Sequence, residues 1–265
     1  MIETGTAYPG NTDQSQADVA PVAEILRLNG YSTAACGKWH EAAAWEASVA
    51  GPFDRWPTRQ GFDKFFGFLG SETNQWAPFI FDGIHFVELP EDPDDHVLED
   101  MIDGAVAWIR YQKALTPGKP FFVYDAPGAT HAPHHVPQEW GTRWKDKFDQ
   151  SWDVLRDEIL ARQTENGIIP EEPTLAAKPS ANPDWQTLSE DAVYPTGQSI
   201  RRLHRDDRSG SGRIVEAIDM TDEFDNTLIL LAYGDNGTSA EGGLIKDLPG
   251  KRPEKLAGLQ AIFLT

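Results

Sequence analysis

Three short segments carry the side chains of this chain with the most chemistry. Gly37-Lys38-Trp39-His40 sets a cation and a titratable imidazole two residues apart. In extended backbone, residues i and i+2 point the same way, so Lys38 and His40 can converge on one anion. The plain alternative is a surface lysine and a packed tryptophan beside an incidental histidine. His131-Ala132-Pro133-His134-His135 offers three imidazoles in five residues, a grouping that suits metal or anion chemistry. A loop histidine in a proline-rich turn is otherwise a simple hydrogen-bonding group. That plainer role is assigned to His134 and His135, and a functional one to His131, which lies nearest the preceding apolar run. Asp235-Asn236-Gly237 brings hard oxygen donors and a glycine that lets the chain turn tightly around a cation. Alone, such a tripeptide is also an ordinary turn signal.

Each segment needs an element to position it, and the hydrophobic pattern supplies candidates. Val22, Ile25, Leu26 and Leu28 form a helical apolar face, with Pro21 at its start and Gly30 at its stop. Ser32 to Cys36 then reads as a strand. From Trp45 to about Asp82 the chain is rich in Trp, Phe, Gly and Pro without clean periodicity, so long loops packed by aromatics are expected. A second helix is predicted over Asp95 to Leu115, and a compact apolar strand over Phe121 to Tyr124. Ile159 to Pro195 reads as proline-punctuated linker. Ile214 to Asp225 reads as helix, and Thr227 to Tyr233 as the strongest buried strand.

This alternation predicts an α/β fold with a mostly parallel central sheet flanked by helices. Ligands of such sheets bind beyond the carboxyl ends of the strands, where all three segments would fall. The 265 residues can bury a real core as one domain. A formal charge of −19, from 42 acids against 23 bases, repels phosphate backbones and anionic lipid, which argues against nucleic-acid and membrane partners. Any anion site must therefore bring its own local cations. Cys36 is the only cysteine, which excludes an internal disulfide and a cysteine-built zinc site. It reads as a small buried hydrophobe. The N-terminus carries neither a basic start nor an apolar run, so a cytoplasmic location is expected.

Taken together, the blocks resemble the type I sulfatases of the alkaline phosphatase superfamily, of the bacterial arylsulfatase kind. NGYSTAACGKWH is similar to the block in which a helix-ending Gly-Tyr leads through a strand to Gly-Lys-Trp-His. FDNTLILLAYGDNGTSAEGG is similar to the family's strand followed by Asp-Asn-Gly. GPFDRWPTRQGFDKFFGFLGSETNQW and FFVYDAPGATHAPHHVPQEW resemble its loops. The likeness implies hydrolysis of a small-molecule sulfate ester through a formylglycine nucleophile. It implies that Lys38 contacts both sulfate and formylglycine, and that His40 holds and later deprotonates a hydroxyl of the hydrate. His131 would bind sulfate and assist departure of the alcohol. Asp235 and Asn236 would ligate a divalent cation, usually calcium. A phosphodiesterase or phosphonate hydrolase of the same superfamily, or a non-catalytic remnant, are the alternatives.

The departures from the family pattern are as informative as the matches. No Cys-x-Pro-x-Arg or Ser-x-Pro-x-Arg segment occurs, since Cys36 is followed by Gly37 and Lys38. The Asp-Asp pair that completes the metal site is absent, and the late substrate lysine is not assignable among Lys246, Lys251 and Lys255. Residues 1–265 therefore read as a partial catalytic domain, without the nucleophile segment or the C-terminal subdomain. Residues 194–211 fit neither their surroundings nor the family and read as out of frame, with frame restored near Gly212.

Overall fold

The computed structural model describes residues 19–89, 96–128, 150–170, 173–178, 184–187 and 210–232. Five strands form one sheet in the order β4-β3-β2-β1-β5. They are β1 (Ser32–Lys38), β2 (Lys64–Phe68), β3 (Ile80–Asp82), β4 (His85–Val87) and β5 (Phe121–Ala126). The first strand sits between two parallel neighbours, with Cys36 opposite Phe66 on one side and Asp125 on the other. The pair β3 and β4 is added antiparallel at the far edge. The expected mixed α/β architecture with a largely parallel sheet is thus observed.

Alternation along the strands explains why both faces of the sheet are apolar. Phe65 and Phe81 face one cluster with Ala23, Trp56 and Phe62, whereas Phe68 and Ile80 face another with Val97 and Met101. Helix α1 (Val22–Leu28) and the aromatic segment 41–62 cover the first face. Helix α2 (Val97–Leu115) covers the second, burying Val97, Leu98, Met101, Ile102, Ala105, Val106 and Ile109 along one stripe. Its first turn is capped by His96, whose Nδ1 accepts from the Leu98 amide at 3.4 Å. Helix α3 (Trp152–Glu165) is capped by Ser151, and helix α4 (210–219) packs Ile214 and Ala217 on Ile102 and Val106.

Four expectations change. Helix α1 does not bury its bulky stripe: Val22, Ile25 and Leu28 are exposed and Ala23 is the buried residue. The cause is a backbone contact, because a Cβ on Gly61 would lie 2.1 Å from the Glu24 nitrogen. That approach admits only the small face of the helix. The region 45–82 holds β2 and β3 besides its loops. Residues 159–165 are helical, not linker. Finally, Thr227 to Ala232 form no strand, and Leu228 and Leu230 are each 82% exposed. A strand exists through its pairing partner, and this segment pairs with none among the described residues.

Candidate active site at the carboxyl end of the central strand

The central strand ends at Lys38, flanked by the ends of β2 and β5. Two glycines set the local geometry. Gly37 has φ +96, and a Cβ there would lie 2.1 Å from the Ala126 carbonyl oxygen; one on Gly67 would lie 1.9 Å from the Gly37 oxygen. The three strands therefore approach more closely at this level than any side chain permits, directly beneath Lys38. Beyond it the chain stays tied to β2, with the Trp39 amide donating to the Phe68 carbonyl at 2.9 Å and the His40 amide to the Leu69 carbonyl at 3.1 Å.

Trp39 is fixed between the two candidate residues. Its indole N–H donates to the Arg55 carbonyl at 2.8 Å, and its ring meets Phe62 and Tyr124 edge-on. Arg55 in turn pairs with the buried Glu46 at 2.6 Å, and the indole of the fully buried Trp56 donates to the Glu46 carbonyl. His40 adopts φ +48, a left-handed conformation that only Asp222 shares among the described non-glycine residues. Extended backbone thus ends before His40. The simple alternation that would aim it alongside Lys38 does not apply, and a strained turn sets the imidazole's direction instead.

Cys36 sits on β1 as expected, 2% exposed. Its thiol is pushed up to about 12, by burial first and by the Asp125 carboxylate second, with Lys64 acting the other way. A thiol so buried and protonated is no nucleophile. Burial, then the Glu41 and Asp125 carboxylates, also raise the Tyr124 hydroxyl. Carboxylates thus crowd this end of the sheet, which disfavours an anion unless a cation offsets them.

Some of the expected site lies outside the described residues. Strand β5 ends at Ala126, and the histidine segment with His131 follows just beyond the described Gly128. Asp235, Asn236, Lys246, Lys251 and Lys255 also lie outside, as do residues 194–209. Among the described residues no group of three or more His, Cys, Asp or Glu side chains could hold a metal. Spacing alone did not single out Gly67 or Gln75. The first was legible only as a glycine amid aromatics. Gln75 is 3% exposed, and its Nε2 donates to the Thr73 carbonyl at 3.2 Å. It would stand 3.9 Å from a Cβ on Gly128, which places a buried carboxamide against the segment leaving β5.

Comparison with known proteins gives the family and the fold. Residues 2–260 match the sulfatase family model. The chain is 27% identical over 263 residues to an uncharacterized sulfatase of Schizosaccharomyces pombe, covering 91% of this chain and 44% of that protein. It is 24% identical over 246 residues to an arylsulfatase of Klebsiella aerogenes, covering 87% of this chain and 50% of that one. The fold is similar to the crystal structure of Ps i-CgsB in complex with k-i-k-neocarrahexaose, with TM-score 0.53 and 18% identity over 85% of this chain and 41% of that one. The chain spans half or less of the length of these relatives.

Proposed function

This chain belongs to the sulfatase family, and on that premise we propose that it forms the anion-gripping part of an arylsulfatase-type sulfuric ester hydrolase. One observation carries the reading. The Gly-Lys-Trp-His segment stands at the carboxyl end of a central strand, pinned by backbone contacts on both sides, with a strained His40 at its tip. In this reading Lys38 binds the sulfate oxygens and offsets the charge that builds on them as the ester bond breaks. His40 would hold a hydroxyl of the family's nucleophile and take its proton if one is present. His131 binds sulfate and delivers a proton to the departing alcohol.

The family's formylglycine would supply the hydroxyl nucleophile toward sulfur. Nothing in this chain fits that group, because the sole cysteine is buried, protonated and set in the wrong sequence context. No step is therefore assigned through it. Asp235 and Asn236 suit calcium in kind as hard oxygen donors, but calcium takes about six to eight oxygens, so the two together do not complete a site. The substrate is a small-molecule sulfate ester, and this chain alone turns over none.

The test uses 4-nitrophenyl sulfate with the full chain. Saturation-transfer NMR is expected to show binding that is lost in Lys38→Ala, with no release of nitrophenol above background. Absence of binding by the unaltered chain overturns the assignment of Lys38. Turnover that disappears in Lys38→Ala overturns the inactivity of this chain but keeps the chemistry. Preferential binding of 4-nitrophenyl phosphate favours the phosphodiesterase reading.

A further inference from the structure

His96 is 2% exposed, and the proposed chemistry makes no use of it. It stands where the first turn of α2 needs partners, since the leading amides of a helix have no carbonyl inside the helix to meet. The Val97 amide donates to the Gln75 carbonyl at 3.0 Å, the Leu98 amide to His96 Nδ1 at 3.4 Å, and the Glu99 amide to the His96 carbonyl at 2.8 Å. The imidazole also meets the Trp76 ring edge-on, with centroids 5.0 Å apart. His96 and Gln75 thus join the start of α2 to the loop 73–79. That loop is tied within itself. The Asn74 side-chain oxygen accepts from the Trp76 and Ala77 amides at 2.9 and 3.2 Å, and the Thr73 hydroxyl accepts from the Phe79 amide at 3.1 Å.

Protonation changes this joint at one atom. A neutral imidazole offers an acceptor nitrogen, whereas an imidazolium offers only donors. With Nδ1 protonated, its N–H would face the Leu98 N–H and the cap is lost. Burial and the positive end of the helix also oppose a charge on the ring. The charged groups of the elements packed around it are few. The loop 73–79 has none, and Glu72 before it is exposed. On α2, Glu99 is engaged by Arg213 from α4, and Asp100 lies one turn along from His96. Asp82 on β3 is paired with Lys64. The Asp100 carboxylate and the Trp76 ring favour a cation, but neither restores an acceptor to the Leu98 amide.

We propose that His96 is a pH-sensitive latch between the loop 73–79 and the first turn of α2, closed while its imidazole is neutral and opened by its protonation. The latch is fully closed above the ordinary histidine value of about 6.5 and is lost as pH falls below it. Net charge acts in the opposite direction. Mild acid lessens the self-repulsion of a chain at −19, which favours the compact state. An opening in mild acid therefore points to a particular group and not to the charge as a whole. The latch borders the proposed site, because the Gln75 carboxamide lies 3.9 Å from where a Cβ on Gly128 would stand, on the segment leaving β5. Its working is independent of the proposed chemistry.

Hydrogen exchange of the full chain between about pH 7.5 and 5, with each rate divided by its intrinsic rate at that pH, tests it. Opening at Val97, Leu98 and Glu99 and at 73–79 is expected to grow below about pH 6.5. The growth is up to about tenfold per pH unit, the limit for one proton taken up on opening. Amides of β1 should not follow. His96→Asn is the companion variant, because asparagine is a good helix cap and carries no titrating group; its opening should stay flat with pH. Absence of an acid response in the unaltered chain overturns the proposal. So does an equal response in His96→Asn, or a loss of protection spread evenly over β1 and β5. If His96→Asn does not fold, NMR of the His96 ring in the unaltered chain decides. Its protonation must coincide with the opening at Leu98, and protonation with Leu98 still protected overturns the latch.

Discussion

Substituting Gly37 by alanine should damage the fold severely. The new Cβ would meet the Ala126 carbonyl oxygen at 2.1 Å and its carbon at 2.7 Å, both backbone atoms that no rotamer change can move aside. Alanine at φ +96 also enters a left-handed region that costs about 1–2 kcal/mol for an L-residue. Overpacking adds roughly 1–3 kcal/mol, and prising β1 from β5 loses ladder hydrogen bonds worth about 1 kcal/mol each. With one ladder bond lost the sum is about 3–6 kcal/mol, a large share of the roughly 5–15 kcal/mol typical of a folded domain. Melting followed by circular dichroism should fall by roughly 6–24 °C, at about 2–4 °C per kcal/mol for chains of this size. Gly118→Ala is the control, since nothing lies within 4 Å of a Cβ there. If the two variants unfold within about 1 kcal/mol of each other, the close approach of β1 and β5 at this level is wrong.

Further outcomes follow from other parts of the molecule. Cys36 should resist thiol reagents at pH 8 until urea unfolds the chain, because burial holds its thiol near 12. Its folded pKa is raised, so its contribution to stability is complete below about pH 9 and drains away toward pH 12, by about 1.4 kcal/mol per unit; urea midpoints across that range report it. Arg55→Ala removes the ion pair of Glu46, whose side chain is 3% exposed, and should lower the chemical unfolding midpoint measurably. Arg27→Ala breaks only the exposed pair with Glu24, and its midpoint should not move measurably. Calorimetry with calcium chloride should show no tight binding, since Asp235 and Asn236 supply too few of the oxygens calcium requires; a submicromolar isotherm would contradict this donor count.

What was legible in the sequence tracks how local its cause is. Strand β1 and helix α2 were readable because each carries its own period and its own stops, and Cys36 because a small apolar residue inside an apolar run has one plain destiny. Strand β2 was hidden because both of its faces carry phenylalanine and Gly67 interrupts it, and β3 because three residues are too few to show alternation. Helix α3 buries no residue, so it offers no apolar stripe and only its serine cap marks it. Two misreadings share one physical origin. The stripe on α1 and the run 227–232 are strongly apolar, yet each needs a partner surface to become interior, and neither finds one among the described residues. For the site, residue type and strand position sufficed to place Lys38 and His40. The pinning by Gly37 and Gly67 and the turn at His40 come from contacts between distant segments, which spacing along the chain does not encode.

The left-handed turn at His40 carries a consequence for how this chain can change over generations. Histidine is a poor choice for φ +48 if folding is the only concern, since glycine takes that conformation without strain and asparagine tolerates it better than most residues. If His40 has the role proposed for it, fold stability and chemistry pull position 40 in opposite directions. A lineage still selected for the imidazole should keep histidine there at a standing cost to stability. A lineage released from that selection should drift toward glycine or asparagine and become more stable as it does. Position 40 thus acts as a marker of use: the identity of one residue, compared among descendants of this gene, records whether the site is still being asked to do anything.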